Sequence, residues 1–91
     1  MPKIEIDWDD ASIEHIARHN IDPDEVDSLF SGRYLLERGR QGRYCALGQS
    51  ENGRYLFVVL APLGGGRYRV VTAREMTDAE HRRFRRKVRS L

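Results

Sequence analysis

The 91-residue chain has one cysteine, two lysines and no apolar run near the length of a membrane span. A single thiol, Cys45, forms no internal disulfide and suits a reducing compartment. Set between Tyr44 and Ala46 in a strand-like stretch, it reads as a buried, inert thiol. The charged opening reads as no signal peptide, so the expected location is cytoplasmic, with no membrane partner. There is no Walker loop, nucleophile elbow, Gly-x-Gly-x-x-Gly after a strand or Cys-x-x-Cys. The glycines at 64–66 precede a strand and not a helix, so they read as a turn. The length suits one small domain, residues 1–91, with a modest core.

The shortage of lysine is matched by an abundance of arginine, which supplies fourteen of the sixteen basic residues. Arginine suits bidentate recognition of phosphate or carboxylate, although high-GC coding also enriches it. The net charge of +2 conceals a gradient. Residues 1–32 hold nine acids against two basic residues, a balance of −7; residues 33–66 stand at +3; residues 67–91 hold nine basic residues against three acids, +6. Such asymmetry points to a polyanion or an oppositely charged protein at the basic end, or to pairing of the two halves within the fold.

Hydrophobic periodicity gives the elements. Ile4, Ile6 and Trp8 alternate with charged residues as in a strand. "DDASIEHIARHN" turns helical, with Ile13, Ile16, Ala17 and Asn20 on one face, Asp9 as N-cap and Trp8–Ile13 as a hydrophobic staple. In "IDPDEVDSLF", Asp22 caps a second helix, Pro23 opens it and Glu25 completes a capping box. Ile21 and Val26 form its staple, Val26, Leu29 and Phe30 its buried stripe, and Gly32 ends it. Four strands follow, in "RYLLERG", "GRYCALGQS", "GRYLFVVLAP" and "GRYRVVTAR". Asn52-Gly53 signals a tight hairpin, and Leu63–Gly66 a looser turn. Gly-Arg-Tyr recurs at 32–34, 42–44, 53–55 and 66–68: glycine turns the chain, arginine stays in water and tyrosine begins packing. Thr77 and Glu80 form a capping box for a last helix that turns Phe84, Val88 and Leu91 to the core. The order β-α-α-β-β-β-β-α predicts an α+β fold with an antiparallel sheet.

The chemistry on offer is sparse. Strand alternation puts Arg67 and Arg69 on one sheet face with Val71, and gives Arg74 the opposite parity. An arginine among strand valines must reach a margin, pair with an acid or meet a ligand. Arg43 shares a face with Cys45 and Leu47 and raises the same question. His15 and His19 stand four apart on the first helix, a spacing that suits a metal, but no third ligand is evident, so neither metal nor cofactor is expected. Phosphate chemistry without metal remains. RNA carries its own nucleophile, so its cleavage needs a proton acceptor and donor and a few cations around the phosphate. Nucleic-acid binding without cleavage fits the same composition.

Three stretches together resemble the BrnT-type toxins of bacterial toxin–antitoxin pairs, a branch with a RelE-like fold. Trp8, Asp9 and "ARHNIDPDEVDSLF" match the family's opening Trp-Asp, its helix end and its second helix start. "GRYCALGQSENGRYLFVVL" matches its middle strands, and "RVVTAREMTDAEHRRF" its last strand and helix. The resemblance implies a metal-independent endoribonuclease that blocks translation, possessing RNA, on or off the ribosome, as substrate and an antitoxin as partner. It assigns catalysis to His19, as general acid or base, and to Arg43, Arg69 and Arg74 at the scissile phosphate. Arg82, Arg83 and Arg86 would then contact flanking RNA. Here Arg18 replaces the family's lysine, Asn20 the glycine after the histidine, His15 an asparagine and Phe84 a tyrosine, so any hydroxyl role at 84 is lost. The alternative reading is a non-catalytic module on this fold that binds nucleic acid or protein.

Overall fold

A computed structural model describes residues 4–89. The elements follow the expected order: β1 (Glu5–Ile6), α1 (Asp10–Ala17), α2 (Pro23–Leu29), β2 (Tyr34–Arg38), β3 (Tyr44–Gln49), β4 (Tyr55–Gly64), β5 (Arg67–Glu75) and α3 (Asp78–Val88). They build one α+β unit around a sheet of order β1-β5-β4-β3-β2. Strands β2 to β5 are antiparallel neighbours, but β1 pairs with β5 in parallel, Glu5 beside Arg67 and Ile6 beside Tyr68. The sheet is therefore mixed, not antiparallel throughout. Because β1 is only two residues long, the outer edge of β5 beyond Tyr68 is left to α1, which packs along it. No helix of the described residues is long and apolar enough to cross a membrane.

One face of the sheet carries the main core. Leu56, Val58 and Leu60 alternate inward from β4 and meet Ile16, Ile21, Val26 and Leu29 from the helical layer, with Ala46, Val70 and Ala73 beside them. Each such large side chain contributes roughly 1.5–3 kcal/mol on burial. Gly48 lets α2 approach, since a Cβ there would stand 2.8 Å from Leu29 Cγ. The opposite face is covered by α3 over part of its width, where Leu47 and Phe84 are buried and Tyr55 packs edge-on against Phe84. Val88 is half-buried beside them, and Leu91 lies outside the described residues.

Several local expectations are modified by this packing. Asp9 caps α1, with Ser12 completing the box; Ser12 N–H reaches Asp9 Oδ1 at 2.7 Å. Of the predicted stripe on α1 only Ile16 is buried; Ile13, Ala17 and Asn20 are exposed, because a helix at a sheet margin presents a narrow inner face. Trp8 instead reaches across to α2, its indole N–H donating to Asp27 Oδ1 at 3.1 Å. Phe30 is half-buried, just past the end of α2, and packs edge-on against Tyr34. The Asn52-Gly53 turn forms as predicted, closed by Ser50 N–H to Arg54 O at 2.8 Å with Gly53 at φ 93°. The 64–66 turn is tighter than predicted. Gly64 pairs with Arg67, and Gly65 and Gly66 take positive φ as a two-residue hairpin requires.

Two residues depart furthest from expectation. Glu25 does not turn back to cap its own helix, and Arg54 does not stay in water. Asp22 still accepts the Glu25 N–H at 2.8 Å, but the Glu25 carboxylate, 7% exposed, takes Arg54 Nη2 at 2.6 Å and Nε at 2.7 Å. Ser50 donates to the same carboxylate at 3.1 Å, and Arg54 also donates to the Asn20 carbonyl at 2.6 Å. The Arg54 hydrogen bonds hold the Glu25 carboxyl below its ordinary range, against the cost of burial. A folded-state value below the unfolded one, about 4.3, gives stability that is present above that value and lost as pH falls through the folded value. We expect Arg54→Ala to cost about 3 kcal/mol in urea unfolding followed by Trp8 fluorescence, because it leaves a buried carboxylate unpaired. The double change Glu25→Leu with Arg54→Met should recover most of that loss and flatten the acid limb of stability.

Candidate functional site

The side of the sheet that α3 leaves partly open is shaped by a bulge in β5. Val59 pairs with Thr72 and Leu60 pairs with Val70, so Val71 is an extra residue. The skip reverses the parity of everything beyond it. Val70 and Ala73, three apart, both turn into the core. Arg69 opposite Ala61, Thr72 opposite Val59 and Arg74 opposite Phe57 all take the other face. Simple alternation gave Arg74 the parity opposite to Arg69; the bulge puts both on one face. Arg43, one residue before Tyr44, extends the alternation of Cys45 and Leu47 and so borders the row of Ala61 and Arg69.

These arginines differ in what holds them. Arg69 is exposed and Arg43 half-buried; among the described residues neither makes an ion pair. The charge of Arg69 is nonetheless felt at Asp9, whose carboxyl is lowered mainly by the backbone and hydroxyl of Ser12 and further by Arg69. Arg74 is clamped: Nη1 and Nη2 reach the two Glu80 oxygens at 2.7 and 2.9 Å, and its guanidinium lies 4.3 Å from the centre of the Phe57 ring. The clamp lowers the Glu80 carboxyl, chiefly through the Arg74 hydrogen bonds, while Glu80 also caps α3 through Thr77 N–H at 2.9 Å. The acid paired with Arg74 thus comes from α3. Cys45, on the same face, has its thiol pushed up by burial and by Glu37 and Glu80, so it stays protonated and a poor nucleophile.

From α1, His15 reaches the β5 margin of this face. Its Nε2 lies 3.1 Å from Thr72 Oγ1, on the strand between Arg69 and Arg74. His19 is exposed one turn further along, its ring 6.0 Å from that of His15, just before Asn20 at φ 60°. The left-handed Asn20 fulfils the role that a glycine would otherwise take. The i, i+4 spacing of the two histidines carried the signal for His15, but that spacing also fits a metal pair and does not say which member meets the sheet. Among the described residues no three His, Cys, Asp or Glu side chains converge where an ion would sit. His81 packs on Tyr55 with ring centres 3.9 Å apart, and among the described residues its buried Nε2 has no hydrogen-bond partner.

The α3 arginines separate by helical angle. Arg82, Arg85, Arg86 and Arg89, at i, i+3, i+4 and i+7, surround an open depression of about 350 Å³ on the outward face. Arg83 points to the sheet instead, pairing with Glu37 Oε1 at 3.1 Å while Lys87 takes Glu37 Oε2 at 3.1 Å. Of the three residues expected on flanking RNA, two lie on the outward face and one braces α3 against β2. Acidic residues gather elsewhere, where Asp22, Asp24, Glu25 and Glu51 line a smaller hollow.

Comparison with known proteins gives this geometry its family. No curated protein matches the chain in sequence. Among solved structures, the crystal structure of the Brucella abortus ribonuclease toxin BrnT is similar, with a TM-score of 0.65 and 20% identity over 82% of this chain and 99% of that one. At that identity the likeness speaks for the fold. Residues 8–80 match the family described as ribonuclease toxin, BrnT, of type II toxin–antitoxin system. Because the match runs from Trp8 to Glu80, across α1, α2 and the whole β2–β5 sheet, the chain belongs to the BrnT family of type II ribonuclease toxins.

Proposed function

We propose that this chain is a cytoplasmic toxin endoribonuclease that cuts RNA through the substrate's own 2′-hydroxyl without a metal ion, blocks translation, and is neutralised by a cognate antitoxin. The observation that carries the reading is the β5 bulge, which turns Arg69 and Arg74 to one face with Arg43 bordering the same row. In the reaction O2′ loses its proton and bonds to phosphorus, the P–O5′ bond breaks, and O5′ takes a proton. The products are a 2′,3′-cyclic phosphate and a 5′-hydroxyl. Arg43 and Arg69, which make no ion pair among the described residues, meet the charge that grows on the phosphorane oxygens. Arg74, clamped by Glu80, supplies a fixed positive end to the row and orients the chain against α3. His15 and His19 provide the proton relay, with His15 the inner member because it touches Thr72. Arg82 and Arg86 track the flanking backbone, with Arg83 beside them at Glu37.

Purified protein should cleave RNA in excess chelator and leave 2′,3′-cyclic phosphate ends, and its expression without antitoxin should arrest growth. RNA binding without cleavage, with growth unaffected, would show a non-catalytic binding module instead. His15→Ala should lower the cleavage rate by about 10²-fold or more and flatten one limb of the pH–rate profile. His19→Ala should have the smaller effect; the reverse order would make His19 the inner group. Arg69→Ala should lower cleavage by roughly 10²-fold with an unchanged melting temperature, since its side chain is exposed and makes no ion pair among the described residues. Arg74→Ala should lower both, costing about 1 kcal/mol of stability after solvent screening of its Glu80 pair.

A further inference from the structure

On the far flank of α3 lies a second depression, of about 380 Å³, that the cleavage reading does not use. Arg33, Gln49, Tyr55, Arg85, Val88 and Arg89 contribute to its lining, and among the described residues no side-chain carboxylate does. Among the described residues Arg33, Arg85 and Arg89 make no ion pair, whereas Arg54, Arg67, Arg74 and Arg83 each have an acid partner. The Tyr55 ring is fixed by two neighbours, His81 at 3.9 Å and Phe84 at 6.1 Å. Gln49 donates one amide N–H to the Gly53 carbonyl at 3.2 Å, which leaves its amide oxygen and second N–H for another partner.

A fixed aromatic ring, an amide with open donor and acceptor, and unpaired guanidiniums are the groups that hold an unstacked nucleobase and its phosphates. The volume admits one base and not a folded partner. The depression is also connected to the cleavage face. It shares Arg85 and Arg89 with the outward cluster, and Arg82 and Arg86 continue that cluster round the helix toward Arg83 and Glu37. An acidic peptide would satisfy the charge and could bond the amide; a nucleobase in addition uses the flat ring as a stacking surface. We propose that this depression is a base-reading subsite for the RNA substrate. Tyr55 stands six β4 residues, roughly 20 Å, from Ala61 beside Arg69, so a strand running from that row to the depression would place there a base about six stacked nucleotides from the scissile phosphate. The inference rests on the ribonuclease reading for its ligand, and it assigns the enzyme's sequence preference to Gln49 and Tyr55.

The test uses 2′-O-methyl oligonucleotides, which bind without being cut, of the four homopolymer sequences. The wild-type protein should prefer one base, and Gln49→Ala should reduce that preference to near parity. Arg85→Ala with Arg89→Ala should weaken binding about tenfold and reduce the slope of log affinity against log salt by about 1.4, two single-strand phosphate contacts. Melting curves of each variant establish that it is folded, and Arg33→Ala provides an independent exposed substitution with the same expected loss of affinity. Unchanged affinity and base preference in all three variants would overturn the subsite. So would unchanged RNA binding in the double variant together with loss of neutralisation by the antitoxin, which would assign the depression to a protein segment. Cleavage by the wild-type protein is scored separately. Cutting with unaltered binding in the variants removes the subsite and keeps the nuclease, and base-selective binding without cutting does the opposite.

Discussion

The ion pair between Glu25 and Arg54 is the contact on which the arrangement of this molecule depends. A carboxylate this deeply buried costs several kcal/mol unless its charge and lone pairs are met. Here both oxygens are met by one guanidinium, and the Ser50 hydroxyl adds a third hydrogen bond. The same guanidinium holds the carbonyl of Asn20, where the chain leaves α1, and stands 3.7 Å from Glu75 at the end of β5. One side chain from the β3–β4 turn thereby ties both N-terminal helices to the sheet. With the helical layer fixed in this way, α1 lies along the edge of β5 that short β1 leaves uncovered, and His15 reaches Thr72.

The arginines divide by the company they keep. Arg54, Arg67, Arg74 and Arg83 are joined to Glu25, Asp7, Glu80 and Glu37, and each pair connects two elements distant in sequence or clamps one to the next. Such pairs contribute little net stability where they are exposed and more orientation than energy where they are half-buried. Arg43, Arg69, Arg82, Arg85 and Arg89 have no such partner among the described residues. These lie on the open part of the sheet face and round the outside of α3. Among the described residues only the Asp7–Arg67 ion pair joins the acidic first third to the basic last third; Asp22, Asp24 and Glu25 line a hollow elsewhere, and Arg82, Arg85 and Arg89 gather round α3. That distribution is what a polyanionic substrate would meet.

Much of the architecture was legible from local chemistry. Asp9, Asp22 and Thr77 each preceded a helix and each caps one, because a side-chain oxygen placed before a helix satisfies amides that have no other partner. The β4 alternation and the Asn-Gly turn likewise need only near neighbours to take effect. The site was legible in part. Arg43, Arg69 and Arg74 stood out by strand position; the histidine spacing read as a metal pair, and only the family resemblance singled out His19. Which histidine would touch the sheet was not legible, since that depends on how α1 lies against β5.

The amino-acid sequence by itself determined the element order, the helix caps, the tight turns and the charge gradient, all of which follow from contacts within a few residues. Only the tertiary structure decided the parallel pairing of β1, the burial of Glu25 with Arg54, the clamp of Arg74 by Glu80 and the separation of Arg83 from the outward arginines. The β5 bulge is the sharpest case. Nothing in "RVVTAR" marks Val71 as the extra residue; the skip is imposed where β4 and β5 must both deliver buried side chains, Leu60 to Val70 and Val58 to Ala73, to one core. Satisfying that core reverses the strand's parity, and with it the face on which Arg74 stands.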